Sequence, residues 1–191
     1  MKRNSPLSLF FFLLLTVNIT LAQKSNEKSH SLTINVPEVA LINVQSTNST
    51  INLNGSTVVE AGKEVLFNDV DASTWINYSS IVGSDSDPLR SVTVEISEGN
   101  IPEGLNLLVK VEEDNGSGDG NLGNPISSSQ IITNSPLKVI KDIGSSYTGV
   151  GINKGHNVLY SLQLSNNKDA YSKLDFDQSQ TIAIVYTLSD N

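Results

Sequence analysis

Apolar and polar residues alternate with a period of two in several short segments of the chain. The clearest example is the segment 91–97 (SVTVEIS), and the same alternation occurs in the segments 105–111 and 158–164. Because successive side chains of a strand point to opposite faces, each of these segments is predicted to be a half-buried β-strand. The β-branched, apolar segment 181–188 (TIAIVYTL) and the segment around Trp75 are predicted strands as well.

Turn residues separate these segments at short intervals. Asn54-Gly55 is a typical two-residue hairpin turn, and the segment 101–104 (IPEG) has the proline and glycine that a tight turn favours. No segment shows a sustained helical period with capping residues. The pattern therefore predicts an all-β fold, either a sandwich or a barrel. The predicted core consists of Val92, Val94, Ile96, Leu105, Leu107, Val109, Tyr160, Leu162, Ile184 and Tyr186.

The beginning of the chain has the features of a secretory signal peptide. Lys2 and Arg3 precede an apolar run at positions 7–15, and the small residues of Thr20-Leu21-Ala22 predict cleavage before Gln23. The alternative is a transmembrane anchor, but the apolar run is shorter than the roughly 20 residues that span a bilayer. The expected organisation is a signal peptide (1–22), a polar flexible leader (23–31) and a single β-sandwich domain (32–191). The protein is expected to be secreted, extracellular or on the cell surface, without a membrane span after cleavage.

Charge and cysteine content limit the possible partners and chemistry. With the signal peptide removed, ten basic and twenty acidic residues give a formal charge of −10, which argues against nucleic acid or an anionic membrane as a partner. The absence of cysteine excludes disulfides and thiolate chemistry. His30 and His156 occur without a catalytic or metal-binding motif and are expected to be solvated loop residues. The sequence therefore predicts no enzyme activity and no cofactor.

One loop offers a candidate calcium site. Asp114, Asn115, Ser117 and Asp119 carry oxygen atoms at alternating positions between glycines, as in the beginning of a calcium-binding loop. Ile126 occupies the position at which a bidentate glutamate would be expected. The alternative interpretation is a hairpin loop rich in turn-forming residues, which requires no ion.

Several of these segments together resemble secreted bacterial fimbrial subunits of the spore coat protein U class, found in archaic chaperone–usher pili. The resemblance is carried by the early alternation of the segment 32–42, by the segment 91–97 with the turn that follows it, and by the segments 158–162 and 182–188. It spans most of the mature chain. The chain departs from the family in having no cysteine and in its long loop at positions 112–123.

The resemblance implies an immunoglobulin-like antiparallel β-sandwich that lacks one strand. In such subunits the gap is filled by an N-terminal strand from the next subunit, a form of β-augmentation. The corresponding residues here are Leu32, Ile34 and Val36, which the polar leader would carry to a second chain. The alternative is that this segment forms the first strand of its own domain.

Two functions are consistent with these sequence features. The first is a non-enzymatic structural or adhesive subunit that assembles with copies of itself or with other surface subunits by strand exchange. The second is a stand-alone secreted binding module for a glycan or another surface ligand, with Trp75, Tyr78 or Tyr147 as apolar platforms.

Overall fold

The computed structural model describes residues 28–84 and 89–191. The predicted signal peptide and the first residues of the leader lie outside the described residues. Within them the chain forms short and long β-strands and one turn of 3₁₀-helix, Tyr171–Lys173. The strands are β1 (Val39–Ser46), β2 (Val70–Ile81), β3 (Arg90–Glu98), β4 (Leu105–Asp114), β5 (Asp119–Gly120), β6 (Asn124–Pro125), β7 (Gln130–Ile131), β8 (Leu137–Ile143), β9 (Ser146–Tyr147), β10 (His156–Leu164) and β11 (Ala183–Asp190).

The strands form two antiparallel sheets that pack against each other. In the larger sheet β1 pairs with one edge of β2, while β10 and β9 share the other edge, and β4 and β7 extend the sheet beyond β10. The short strand β5 pairs with β9. The smaller sheet has the order β11-β3-β8-β6. The predicted β-sandwich is confirmed.

The core lies between the two sheets and consists of the side chains that point inward, roughly every second residue of each strand. The strands β2, β3, β4, β8 and β10 all contribute fully buried side chains. Of the ten predicted core residues, Val92, Val94, Ile96, Leu107, Val109 and Tyr160 are buried. Leu105, Leu162, Ile184 and Tyr186 are half-buried because they lie near strand ends or on the edge strand β11.

The hairpin predicted at Asn54-Gly55 is wrong. Residues 47–69 contain no strand, and the chain reverses at Ala61-Gly62, where Ser56 and Leu66 are joined by a backbone hydrogen bond of 2.7 Å. Gly55 is packed instead, since a Cβ atom there would lie 2.5 Å from Cγ1 of Val65. Close packing, rather than a turn, explains a glycine at this position.

The first strand begins after Pro37. Proline has no N–H to donate to a β-ladder, and the strand β1 starts two residues later at Val39. The compact unit of the sandwich is Pro37–Asn191, and residues 28–36, which precede it in the chain, form no strand or helix. Among the described residues, none belongs to a helix long and apolar enough to cross a membrane.

Candidate functional site

The segment before the sandwich exposes three large apolar side chains. Leu32, Ile34 and Val36 are between 72% and 79% exposed, and the polar residues Thr33 and Asn35 separate them. An apolar residue at every second position is the pattern of a strand that covers a core with one face. The segment therefore has the sequence of a strand without a partner in the chain's described structure.

Each sheet of the compact unit ends in an edge strand, and these two edges lie side by side. Among the strands of residues 28–84 and 89–191, β1 pairs only with β2, and β11 pairs only with β3. The two strands contact each other across the sandwich. Their outer edges present backbone N–H and C=O groups that no further strand of the described chain engages, which is the usual template for strand addition.

The inner face of β1 is incompletely covered. Ile42 and Val44 lie opposite Tyr78 and Ile76 on β2, so they face the interior. Tyr78 and Ile76 are buried, whereas Ile42 is half-buried and Val44 is 39% exposed. Apolar residues that point inward but keep contact with solvent leave room for further apolar groups.

The inward-facing residues of β11 are also only partly covered. Ile184, Tyr186 and Leu188 pair with buried residues of β3 but are themselves half-buried. The hydroxyl groups of Tyr186 and Tyr160 are 2.5 Å apart. Burial raises the pKa of Tyr160 to about 12, and burial together with the neighbouring phenol raises the pKa of Tyr186 well above its usual value. Both phenols are therefore neutral across the physiological range and form part of an apolar wall.

Arg90 joins the two edge strands at one end of the sandwich. Its side chain is 3% exposed and lies between the carboxylates of Glu38, at 2.5 Å, and Asp190, at 2.7 Å. Its Nη1 donates to the carbonyl oxygens of Val39 and Ile81. One buried guanidinium therefore connects the beginning of β1, the ends of β2 and β11, and its own strand β3.

The candidate calcium loop uses part of its polar groups in hydrogen bonds within the chain, while Oδ1 of Asp114 is buried without a hydrogen-bond partner. Asp114 and Asp119 accept from backbone N–H groups of their own loop, and Asn115 donates to the carbonyl oxygen of Asn153. The ammonium group of Lys154 lies 3.0 Å from the hydroxyl oxygen of Ser117. Within residues 28–84 and 89–191, no three His, Cys, Asp or Glu side chains are grouped so as to hold a metal ion.

The expectation that His156 is a solvated loop residue is wrong. His156 begins β10 and is fully buried, while His30 is exposed. His156, Val158 and Tyr160 are spaced two residues apart and all face the interior. The alternation along the sequence could therefore have predicted that His156 is buried. The preceding Gly155 packs directly against β2 and brings the ring into the interior.

His156 belongs to a buried hydrogen-bonded cluster with Tyr78. Its Nδ1 lies 2.8 Å from the carbonyl oxygen of Glu112 and must donate to it, and its Nε2 lies 2.9 Å from the Tyr78 hydroxyl. The same hydroxyl lies against the carbonyl oxygen of Leu122, so its one proton is shared between two acceptors, this carbonyl and Nε2 of the neutral ring. Burial lowers the pKa of His156, and the Glu112 carbonyl and the nearby carboxylate of Asp114 oppose this only in part.

This buried imidazole makes stability depend on pH. The unfolded chain binds a proton at His156 near pH 6.5, whereas the folded chain binds it only at lower pH. Stability from this group is therefore complete above about pH 6.5 and falls as the pH decreases, by at most about 1.4 kcal/mol per pH unit. Urea unfolding of the wild type between pH 7.5 and 5 is expected to show this slope. His156→Gln is expected to flatten it, and His30→Gln, at the exposed histidine, to leave it intact. An unchanged slope in His156→Gln would contradict the assignment.

The three aromatic residues considered as ligand platforms have different positions. Tyr78 is buried and is excluded as a surface platform. Trp75 lies on the outer face of β2 and is half-buried, and Tyr147 on β9 is 53% exposed. Of the three, the two on the outer face of the larger sheet therefore present aromatic surface to a ligand.

Comparison of the chain with protein-family models, with curated proteins and with solved structures finds no match. The functional assignment therefore depends on the geometry of the chain itself.

Proposed function

We propose that the chain is a non-enzymatic extracellular structural subunit that assembles with further copies by strand exchange through its N-terminal segment. The observation that carries the proposal is the alternation of Leu32, Ile34 and Val36, whose side chains are exposed and which precede the compact unit in the chain. Water-exposed apolar residues at strand spacing are unfavourable in a monomer and become favourable once a partner covers them.

The edges formed by β1 and β11 supply an acceptor of matching chemistry. A strand added beside β11, on the side away from β3, would pair with free backbone groups and place its apolar residues against Ile184 and Leu188 on one side and Ile42 and Val44 on the other. Burying three such side chains contributes about 2 kcal/mol each. Ordering the five residues Leu32–Val36 costs about 1–2 kcal/mol each, so the backbone hydrogen bonds to the open edge of β11 are needed as well to make the contact stable.

The strand order supports an immunoglobulin-like arrangement. The order β1-β2-β10-β4 facing β11-β3 corresponds, in pairing and in chain order, to A-B-E-D and F-C of such sandwiches. The strand β8 pairs with β3 where C′ would lie, but it follows β4 in the chain and has no counterpart in that topology. In the seven-strand form a strand G lies beside F, and the corresponding place beside β11 holds no strand among the described residues. The exposed segment Leu32–Val36 of a second copy is the proposed occupant.

The extracellular location and the absence of catalysis are supported by the sequence. The predicted signal peptide directs the chain out of the cytoplasm, and no catalytic motif accompanies the two histidines. A cysteine-free sandwich depends on packing and backbone pairing, which suits a structural subunit that strand exchange would stabilise further.

The test is the mass in solution of the mature chain, beginning at Gln23, and of an Ile34→Asp variant. The wild type is expected to form oligomers, because Ile34 is buried at the contact. The variant is expected to be monomeric, since an aspartate in an apolar groove costs several kcal/mol. Light scattering after size-exclusion chromatography over a range of concentrations measures this difference.

Thr33→Asp is the matched control, because it adds the same charge one residue away on the opposite face of the segment. It is expected to leave the oligomers intact. Deletion of residues 23–36 is expected to give a folded monomer. A wild type that stays monomeric at all concentrations, or a deletion that unfolds the domain, would contradict strand exchange and make the segment part of its own sandwich.

A further inference from the structure

The outer face of the larger sheet contains a groove that lies away from the edge of β11. Register places Leu41 on β1, Ser79 on β2, Tyr147 on β9 and Asp119 on β5 in one row across four strands. Ser79 lies between the inward-facing Tyr78 and Ser80, so the whole row faces outward. The groove has a volume of about 510 Å³, within the usual range for small-ligand sites.

Large side chains form the two walls of this groove, and a small side chain forms its floor. Leu41 and Tyr147 are largely exposed and stand on either side of the small Ser79. Their backbones are two strand spacings apart, about 9.6 Å. A flat ring in contact with both walls needs about 8 Å, two contacts of about 4 Å each. The groove is therefore wide enough for one saturated ring and too narrow for a folded element.

The polar side chains of the groove are serine hydroxyls, one phenol and one carboxylate, and the hydroxyls of Ser80, Ser145 and Ser146 are hydrogen-bonded within the chain. By contrast, no hydrogen bond among the described residues involves the phenol of Tyr147 or the hydroxyl of Ser79, which both line the groove. One oxygen of Asp119 accepts from the N–H of Gly120, and the other is free. No lysine or arginine of the described chain lines the groove, so an anionic ligand would face an uncompensated carboxylate.

From this arrangement we infer that the groove bounded by Leu41, Tyr147 and Asp119 binds a neutral saccharide. The aliphatic C–H face of a pyranose ring packs on the Tyr147 ring and against Leu41. Hydroxyl groups of the sugar exchange hydrogen bonds with Tyr147 and Ser79, and a hydroxyl that extends past the Tyr147 ring donates to the free oxygen of Asp119, one strand beyond it. An apolar surface beside a few fixed polar groups is the general design of a small-ligand site. The inference is independent of strand exchange, because the groove uses neither the segment 32–36 nor β11.

Saturation-transfer NMR with methyl β-glucopyranoside, methyl β-galactopyranoside and methyl α-mannopyranoside tests the inference. At least one of these neutral probes is expected to bind at millimolar concentration, while sialic acid does not. Tyr147→Ala is expected to weaken binding by about tenfold or more, and Asp119→Asn to weaken it by a smaller factor. Phe176→Ala, which removes a more exposed aromatic ring elsewhere on the surface, is the control and is expected to have no effect.

The outcomes separate this inference from its alternatives. Failure of all neutral pyranosides to bind would overturn it, as would binding that persists in Tyr147→Ala. Nα-acetyl-lysine amide is a further probe, because a carboxylate beside an aromatic ring also attracts cations. Binding of this probe in place of the sugars would overturn the inference and identify a site for basic peptides. Since the oligomeric state is measured separately, loss of strand exchange in Ile34→Asp would leave sugar binding unchanged.

Discussion

Replacing Arg90 with methionine is expected to lower the free energy of unfolding by about 3 kcal/mol. The substitution keeps much of the side-chain volume but removes the donors to the carbonyl oxygens of Val39 and Ile81. Each carbonyl left without a donor in a buried position costs about 1–3 kcal/mol. Urea denaturation, followed by the fluorescence of Trp75, measures the loss.

The carboxylate partners of Arg90 provide the comparison. Glu38→Gln and Asp190→Asn each remove one ion pair at an exposed carboxylate and leave the other in place. Each is expected to cost less than about 1 kcal/mol, because exposed charges are screened by solvent. If either carboxylate variant lost as much stability as Arg90→Met, the ion pairs rather than the hydrogen bonds to the backbone would hold the edges together.

Gly155→Ala is expected to destabilise the fold by about 3 kcal/mol or more. Gly155 has a φ of +71°, and a Cβ atom there would lie 2.2 Å from the carbonyl oxygen of Ile76. The positive φ alone costs an alanine about 1–2 kcal/mol. The backbone contact forces β2 and the start of β10 apart, which also displaces the buried His156. The change is measured as a decrease in the midpoint of urea unfolding.

Gly151→Ala separates these two effects. Gly151 lies in the same loop with a φ of +106°, but a Cβ atom there meets nothing within 4 Å. This variant is expected to cost only the conformational strain, about 1–2 kcal/mol. Equal losses in the two variants would mean that the approach of Gly155 to β2 contributes nothing to stability.

Local periodicity predicted much of this fold. The alternation of residues 91–97 and 105–111 identified β3 and β4, because each of these strands has one buried and one more exposed face. The same signal missed β8, whose adjacent Val139 and Ile140 are both buried and whose register shifts against β3. A bulge interrupts the alternation of inward and outward residues, so a search for a period of two does not detect such a strand.

The candidate sites were harder to predict from the sequence, because they depend on contacts between residues that are far apart in the chain. The exposed alternation at Leu32, Ile34 and Val36 was visible as a pattern, but the open edges that could receive it depend on strand order. Arg90 gave no sequence signal at all, since a single arginine beside a strand is usually a surface residue. The Leu41–Tyr147 groove arises only when β1 and β9 flank β2.

The position of Arg90 determines how the sandwich would respond to mechanical tension. The start of β1 and the end of β11 are both held by the same guanidinium, so a force that separates the two chain ends loads this side chain first. Once its contacts break, each edge strand is pulled from its end and detaches one ladder pair at a time. The extra length would come from these two edge strands, and β2, β3, β4 and β10 would stay folded until both had peeled away.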